Sequence, residues 1–177
     1  QFLTFLCAVL KGVDEYASLL RISASSAGND HRLGANEAPP AIISIFMGEE
    51  LQGVLDALEN NTTYKSESRE FKIGVHALPD FPKDSTDRNR TSPFAFTGNR
   101  FEFRMVGSAD NIACPNHMLN TIVAGELCEI ADAMEKVAPE EFEAKLKELL
   151  VSIIKEHKRI IFNGDGYSDE WVAEAER

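Results

Sequence analysis

Cysteine is scarce in this 177-residue chain. Cys7, Cys114 and Cys128 are odd in number and form no Cys-x-x-Cys pair, which argues against a disulfide framework or a cysteine zinc centre and fits a reducing cytoplasm. Cationic charge is also short, with 18 Lys and Arg against 29 Asp and Glu and a net charge of −11. Phosphate-backbone binding needs a basic footprint that releases counterions, so nucleic acid is not expected as a partner. No apolar run approaches the roughly 20 residues that cross a bilayer. The opening Gln1–Leu10 lacks a basic leader and runs into Lys11, Asp14 and Glu15, so it reads as a buried helix rather than a signal, and no membrane partner is expected. The first residue is Gln1, with no cap before a helical pattern begins, and the chain is taken as a piece of something longer. His31, His76, His117 and His157 show no paired metal spacing, and no internal repeat is present.

What is present is enough apolar sequence, 44%, for one acidic folded domain. Phe2, Phe5, Leu6, Val9, Leu10, Val13, Ala17 and Leu20 recur at helical spacing and predict a helix over 1–20, which Gly12 weakens slightly. Ser23 to Asp30 leads into a stretch whose Gly34, Asn36 and Pro39-Pro40 predict a long loop. Ala41–Met47 reads as a buried strand, Glu49–Glu59 as a helix ending near Asn60-Asn61, and Phe71–His76 as an alternating strand. Phe94–Thr97 and Arg100–Arg104 predict two strands joined by a tight turn at Gly98-Asn99, with Arg100, Glu102 and Arg104 on one face. From about residue 116 the chain turns helical, with Leu119, Ile122, Val123, Leu127, Ile130 and Met134 as one stripe. Pro139 is expected to open a further helix that buries Phe142, Leu146, Leu149, Leu150, Ile153 and Ile154 and carries Glu141/Lys145 and Glu143/Lys147 pairs. Residues 126–177 hold 14 acids against seven bases, a solvated helical tail following a nearly neutral centre.

Chemistry concentrates where arginines meet loops: Arg32, Arg88, Arg90, Arg100 and Arg104. Convergent guanidiniums suit an anion, because each planar fork binds carboxylate or phosphate bidentately and several together offset the charge of a transferring phosphoryl group. Surface arginines on a hairpin also simply pair with acids, and spacing alone favours that plainer reading. Glu102 stands between Arg100 and Arg104 and either holds a divalent metal or completes a same-face salt-bridge ladder. Glu37, bracketed by Gly34 and Pro39-Pro40, is a candidate general base or lid carboxylate, although most loop acids are only solvated.

In order, Asn29-Asp-His-Arg-Leu-Gly-Ala-Asn-Glu-Ala-Pro-Pro40, Arg88-Asn-Arg-Thr91 and Arg100-Phe-Glu-Phe-Arg104 resemble the C-terminal catalytic half of glutamine synthetase, most of all the bacterial type III enzymes. The resemblance covers essentially the whole chain. It implies an α+β piece in which antiparallel strands pack with helices, residues 1–125 forming part of the catalytic domain and 126–177 a helical extension of it. The implied reaction is ATP-dependent ligation of ammonia to L-glutamate through γ-glutamyl phosphate, with Mg2+ or Mn2+. By this resemblance Arg32 and Arg104 hold glutamate, Arg90 and Arg100 the nucleotide's phosphates, and Glu102 one metal. Glu37 takes a proton from ammonium and Arg90 lies at the transferring phosphate. The same resemblance implies a cytoplasmic, ring-shaped homo-oligomer whose partners are glutamate, ammonium and ATP. The isolated chain is expected to be inactive, since it carries one expected metal ligand. Ala95 stands where commoner bacterial members have a further nucleotide-contacting arginine. Alternatives are a related glutamate–amine ligase and a non-catalytic interaction fragment.

Overall fold

The apolar spacing from Phe2 produces helix α1 (Phe2–Glu15), whose residues Leu6 to Leu10 are all buried, so its middle is covered on every side while Phe2 and Phe5 stay exposed. The helix expected over 1–20 breaks at Tyr16 (φ −108°, ψ 22°) and resumes as α2 (Ala17–Ser23). Tyr16 N–H still reaches Gly12 O at 3.0 Å while Tyr16 O accepts from Leu20 N, so one residue ends one helix and starts the next. The apolar pattern runs straight through the bend, which is why spacing alone does not show it.

The computed structural model describes residues 1–35, 38–65, 70–71, 81–82, 92–164, 168–169, 171 and 173. Where a loop is expected after Ser23, a short helix α3 (Ala27–Arg32) forms instead. Its cause is local: Ser26 Oγ accepts from Asn29 N–H at 3.2 Å, an N-cap, and Asp30 lies in the first turn. The strand expected over 41–47 shortens to β1 (Ile45–Phe46), and α4 (Gly48–Glu59) follows as expected. Of the strand expected over 71–76, only β2 (Glu70–Phe71) is described, paired antiparallel with β3 (Phe81–Pro82); residues 72–76 lie outside the described set.

The hairpin forms as the sequence indicates. β4 (Phe94–Phe96) and β5 (Phe101–Phe103) pair antiparallel, Ala95 opposite Glu102, and Thr97 N–H closes the turn on Arg100 O at 2.9 Å. Gly98 takes φ +90° at the first central turn position, where a side chain would be strained. Phe94 stacks on Phe101 with centroids 5.2 Å apart and meets Phe103 at 6.0 Å, which holds the pair together. β1 adds to β4 in parallel, giving the sheet order β1-β4-β5. The sheet is therefore mixed rather than purely antiparallel, within an α+β fold.

Helix α5 (Ala113–Met134) starts earlier than residue 116, with Pro115 in its first turn where the missing N–H costs nothing. α6 (Phe142–His157) starts later than Pro139, which sits in the preceding turn. Phe142 is 42% exposed rather than buried, while Leu150, Ile153 and Ile154 are core. Lys145 pairs with Glu148 at 2.8 Å instead of Glu141, and Lys147 reaches Asn61 instead of Glu143. No helix among the described residues is long and apolar enough to cross a membrane.

α1 packs against α5 and α6. A Cβ on Gly12 would lie 2.5 Å from Ile122 Cγ2 and 3.3 Å from Glu126 Cγ, so this glycine is where α1 and α5 touch most closely. Gly12→Ala is expected to destabilise by about 1–3 kcal/mol, because forcing apart a packed crossing outweighs the roughly 1 kcal/mol gain in helix propensity. Urea unfolding of the full-length polypeptide carrying this segment checks the sign, and an increase in stability contradicts the close crossing.

Candidate arginine–glutamate site

β5 sets the alternation that puts Arg100, Glu102 and Arg104 on one face, opposite Phe101 and Phe103. Arg100 Nε donates to Glu102 Oε1 at 3.2 Å, while Arg104 donates to Glu102 Oε2 through both Nε and Nη2, each at 3.2 Å. Both carboxylate oxygens are thus engaged by cations. Partial desolvation pushes the Glu102 carboxyl up, but the hydrogen bonds and charges of Arg104 and Arg100 outweigh it and hold the group below the ordinary glutamate range. The arginines differ in setting: the Arg104 side chain is 16% exposed and that of Arg100 is 72% exposed. A guanidinium already half withdrawn from water acts more strongly on an incoming anion than one that is fully hydrated.

Arg32 arrives from the end of α3. Its Nε donates to Asn29 Oδ1 at 2.9 Å and its Nη2 donates to Met105 O at 2.8 Å, the carbonyl immediately after Arg104. Arg32 is therefore anchored to the backbone at the end of β5, one residue after Arg104. Asp30, the acid beside them on α3, is taken by Arg21 at 2.7 Å; that hydrogen bond holds the Asp30 carboxyl below its ordinary range. The loop after α3 is pinned at its base, Gly34 N–H donating to Pro39 O at 2.9 Å and Ala38 N–H to Ala35 O at 3.0 Å. Glu37 within it, and Arg88 and Arg90, lie outside the described residues.

Ala95, opposite Glu102, is fully buried and presents no polar group. Among the described residues no three His, Cys, Asp or Glu side chains gather to hold a metal ion. Glu102 can give one ligand to a divalent cation and these residues alone do not complete a set. His157 is structural, its Nδ1 lying 2.8 Å from Asp14 Oδ2 with both side chains 5% exposed. Cys7 is buried, which pushes its thiol pKa up to about 12 and leaves it inert, while Cys114 and Cys128 are exposed on α5.

Asn29 is the residue that motif reasoning passes over. It is 4% exposed and spends its whole side chain in hydrogen bonds at this site. Its one sequence signal is a Ser-x-x-Asn capping spacing before the arginine, masked by the surrounding glycines and prolines.

Comparison with known proteins finds relatives of the chain. Residues 145–177 match the family model described as the glutamine synthetase C-terminal domain. The chain is 48% identical over 173 residues to the type-3 glutamine synthetase of Dictyostelium discoideum, covering 97% of this chain and 24% of that protein. It is 48% identical to a glutamine synthetase of Butyrivibrio fibrisolvens and 47% identical to one of Bacteroides fragilis, covering 98% and 99% of this chain and 25% of each relative. The chain spans about a quarter of the length of these curated relatives. With three motifs in order and near 48% identity along almost all of its length, the chain belongs to the glutamine synthetase family as a segment of it.

Proposed function

We propose that this segment supplies the anion-binding side of an ATP-dependent glutamate–ammonia ligase active site. The observation that carries the reading is the Arg100-Glu102-Arg104 row continuing, through the Met105 carbonyl, into Arg32. Arg32 and Arg104 take the carboxylate and the reacting end of glutamate, Arg104 being far less exposed than Arg100 on the same carboxylate and hence the stronger electrostatic partner of that pair. Arg100 and Arg90 meet the phosphates of ATP. Glutamate's γ-carboxylate oxygen attacks the γ-phosphorus and ADP leaves; ammonia then attacks the acyl carbon and phosphate leaves. The arginines offset negative charge as it gathers on the transferring group, and Glu37 accepts a proton from ammonium, freeing the nucleophile. Glu102 would give one ligand to Mg2+ or Mn2+, with the other ligands from outside this segment, and the bound ion would neutralise phosphate charge.

In this reading residues 1–125 carry the reacting motifs, and 126–177 extend the same domain. The working enzyme is a cytoplasmic homo-oligomeric ring, and the 177 residues alone are inactive. Hydroxylamine in place of ammonium tests the acyl phosphate step. The full-length polypeptide is expected to form γ-glutamyl hydroxamate only with both ATP and glutamate; ADP release without hydroxamate contradicts the reading.

A further inference from the structure

Asn29 makes three side-chain hydrogen bonds within the cluster described above. Nδ2 donates to Ala24 O at 2.6 Å and to Met105 O at 2.8 Å, and Oδ1 accepts from Arg32 Nε at 2.9 Å. Met105 O receives a second donor, Arg32 Nη2, at 2.8 Å. Asn29, Arg32 and the Met105 peptide thus form a closed triangle joining the C-terminal turn of α3 to the end of β5. A second strap runs alongside it. Ser26 Oγ meets Asp110 Oδ1 at 3.3 Å, and Gly107 N–H donates to Asp110 Oδ2 at 3.1 Å. A Cβ on Gly107 would stand 2.7 Å from Asp110 Oδ2 and 3.1 Å from Asn29 Oδ1, so the backbone after β5 comes in too closely here for a side chain.

A free guanidinium at the end of a six-residue helix samples many rotamers. Two of its five N–H groups are committed here, one to a side chain and one to a backbone carbonyl, and both acceptors are held by Asn29. The remaining three N–H groups are left for a ligand in a fixed orientation. Because Arg104 directly precedes Met105, the same amide fixes the backbone that carries the second arginine.

We infer that Asn29 is a positioning residue: it sets the angle between the Arg32 and Arg104 guanidiniums and so the fit of the substrate carboxylate. This rests on the reading of Arg32 and Arg104 as glutamate-binding groups. A small misplacement of an oriented charge pair weakens a bidentate contact steeply.

The test is steady-state kinetics of the full-length polypeptide with Asn29→Ala, Arg32→Ala and the double variant, varying glutamate and ATP separately. The expected result is a glutamate KM raised about tenfold or more by Asn29→Ala, with the ATP KM unchanged and no further rise when Arg32→Ala is added. If Arg32→Ala raises the glutamate KM but Asn29→Ala does not, or the two effects multiply, the positioning role is wrong. If Arg32→Ala itself leaves the glutamate KM unchanged, the reading of Arg32 fails, and the inference with it. A loss by Asn29→Ala that falls equally on ATP and glutamate marks a purely structural residue and overturns the proposal. Should Asn29→Ala fail to fold, Arg32→Lys asks the same question. It keeps the charge but not the fork that Asn29 orients, so a glutamate KM raised about tenfold or more supports positioning, and an unchanged one overturns it.

Discussion

Arg104→Ala in the full-length polypeptide lowers kcat/KM for glutamate by about a hundredfold or more, roughly 2.7 kcal/mol of transition-state stabilisation. The size follows from the setting of this side chain. At 16% exposure Arg104 is the more desolvated of the two arginines on Glu102, and it supplies two of the three hydrogen bonds that the carboxylate receives from them. In the proposed reading, removing it takes away a fixed cation from the reacting centre, and it leaves Glu102 leaning on the 72% exposed Arg100. Arg104→Lys keeps the charge without the planar fork and should fall between wild type and alanine. Steady-state phosphate release measures both, and a loss below about threefold for alanine removes Arg104 from the reacting centre.

Lys11→Met costs the fold about 3–5 kcal/mol, the loss typical of leaving one member of a buried ion pair alone. Lys11 Nζ lies 2.5 Å from Oε2 of Glu126, whose side chain is 2% exposed, and also meets the exposed Glu129. Burial favours the neutral amine, but hydrogen bonds to Glu126 and Glu129 outweigh it and hold the Lys11 ammonium above the ordinary lysine range. The Lys11 ammonium therefore stays charged through the neutral range, and the stability it adds is lost only as pH rises past the lysine range. The double variant Lys11→Met/Glu126→Met should recover most of the loss, since two apolar side chains fill the space without an orphan charge. Urea unfolding checks both, and a cost below about 1 kcal/mol for the single variant shows that water reaches Glu126.

What the sequence shows and hides follows from how far each cause reaches along the chain. The β4–β5 hairpin is legible because alternation over Arg100–Arg104 and the Gly98-Asn99 turn are both local signals. The core faces of α5 and α6 are legible because 3.6-residue periodicity survives in long helices. Helix α3 is not, since six residues carry too little periodicity and what orders them includes bonds from Asn29 to Ala24 and Met105. The burial of Glu126 is equally hidden: in the sequence it is one acid in an acidic tail, and only the Gly12 crossing brings Lys11 onto it. Lys145 pairs with Glu148, inside α6, rather than with Glu141, which is the N-cap residue before the helix begins. Of the candidate site residues, Arg100, Glu102 and Arg104 form a salt-bridge ladder on one face of β5, and Arg32 is anchored beside its end at the Met105 carbonyl; the anion site proposed above uses these same side chains.

The most direct test of the account is phosphate release from ATP by the full-length polypeptide with glutamate present, measured with and without ammonium. The expected result is turnover that requires ammonium and collapses in Arg104→Ala. Phosphate release that is indifferent to ammonium, or none in any combination, contradicts a glutamate–ammonia ligase built on these arginines.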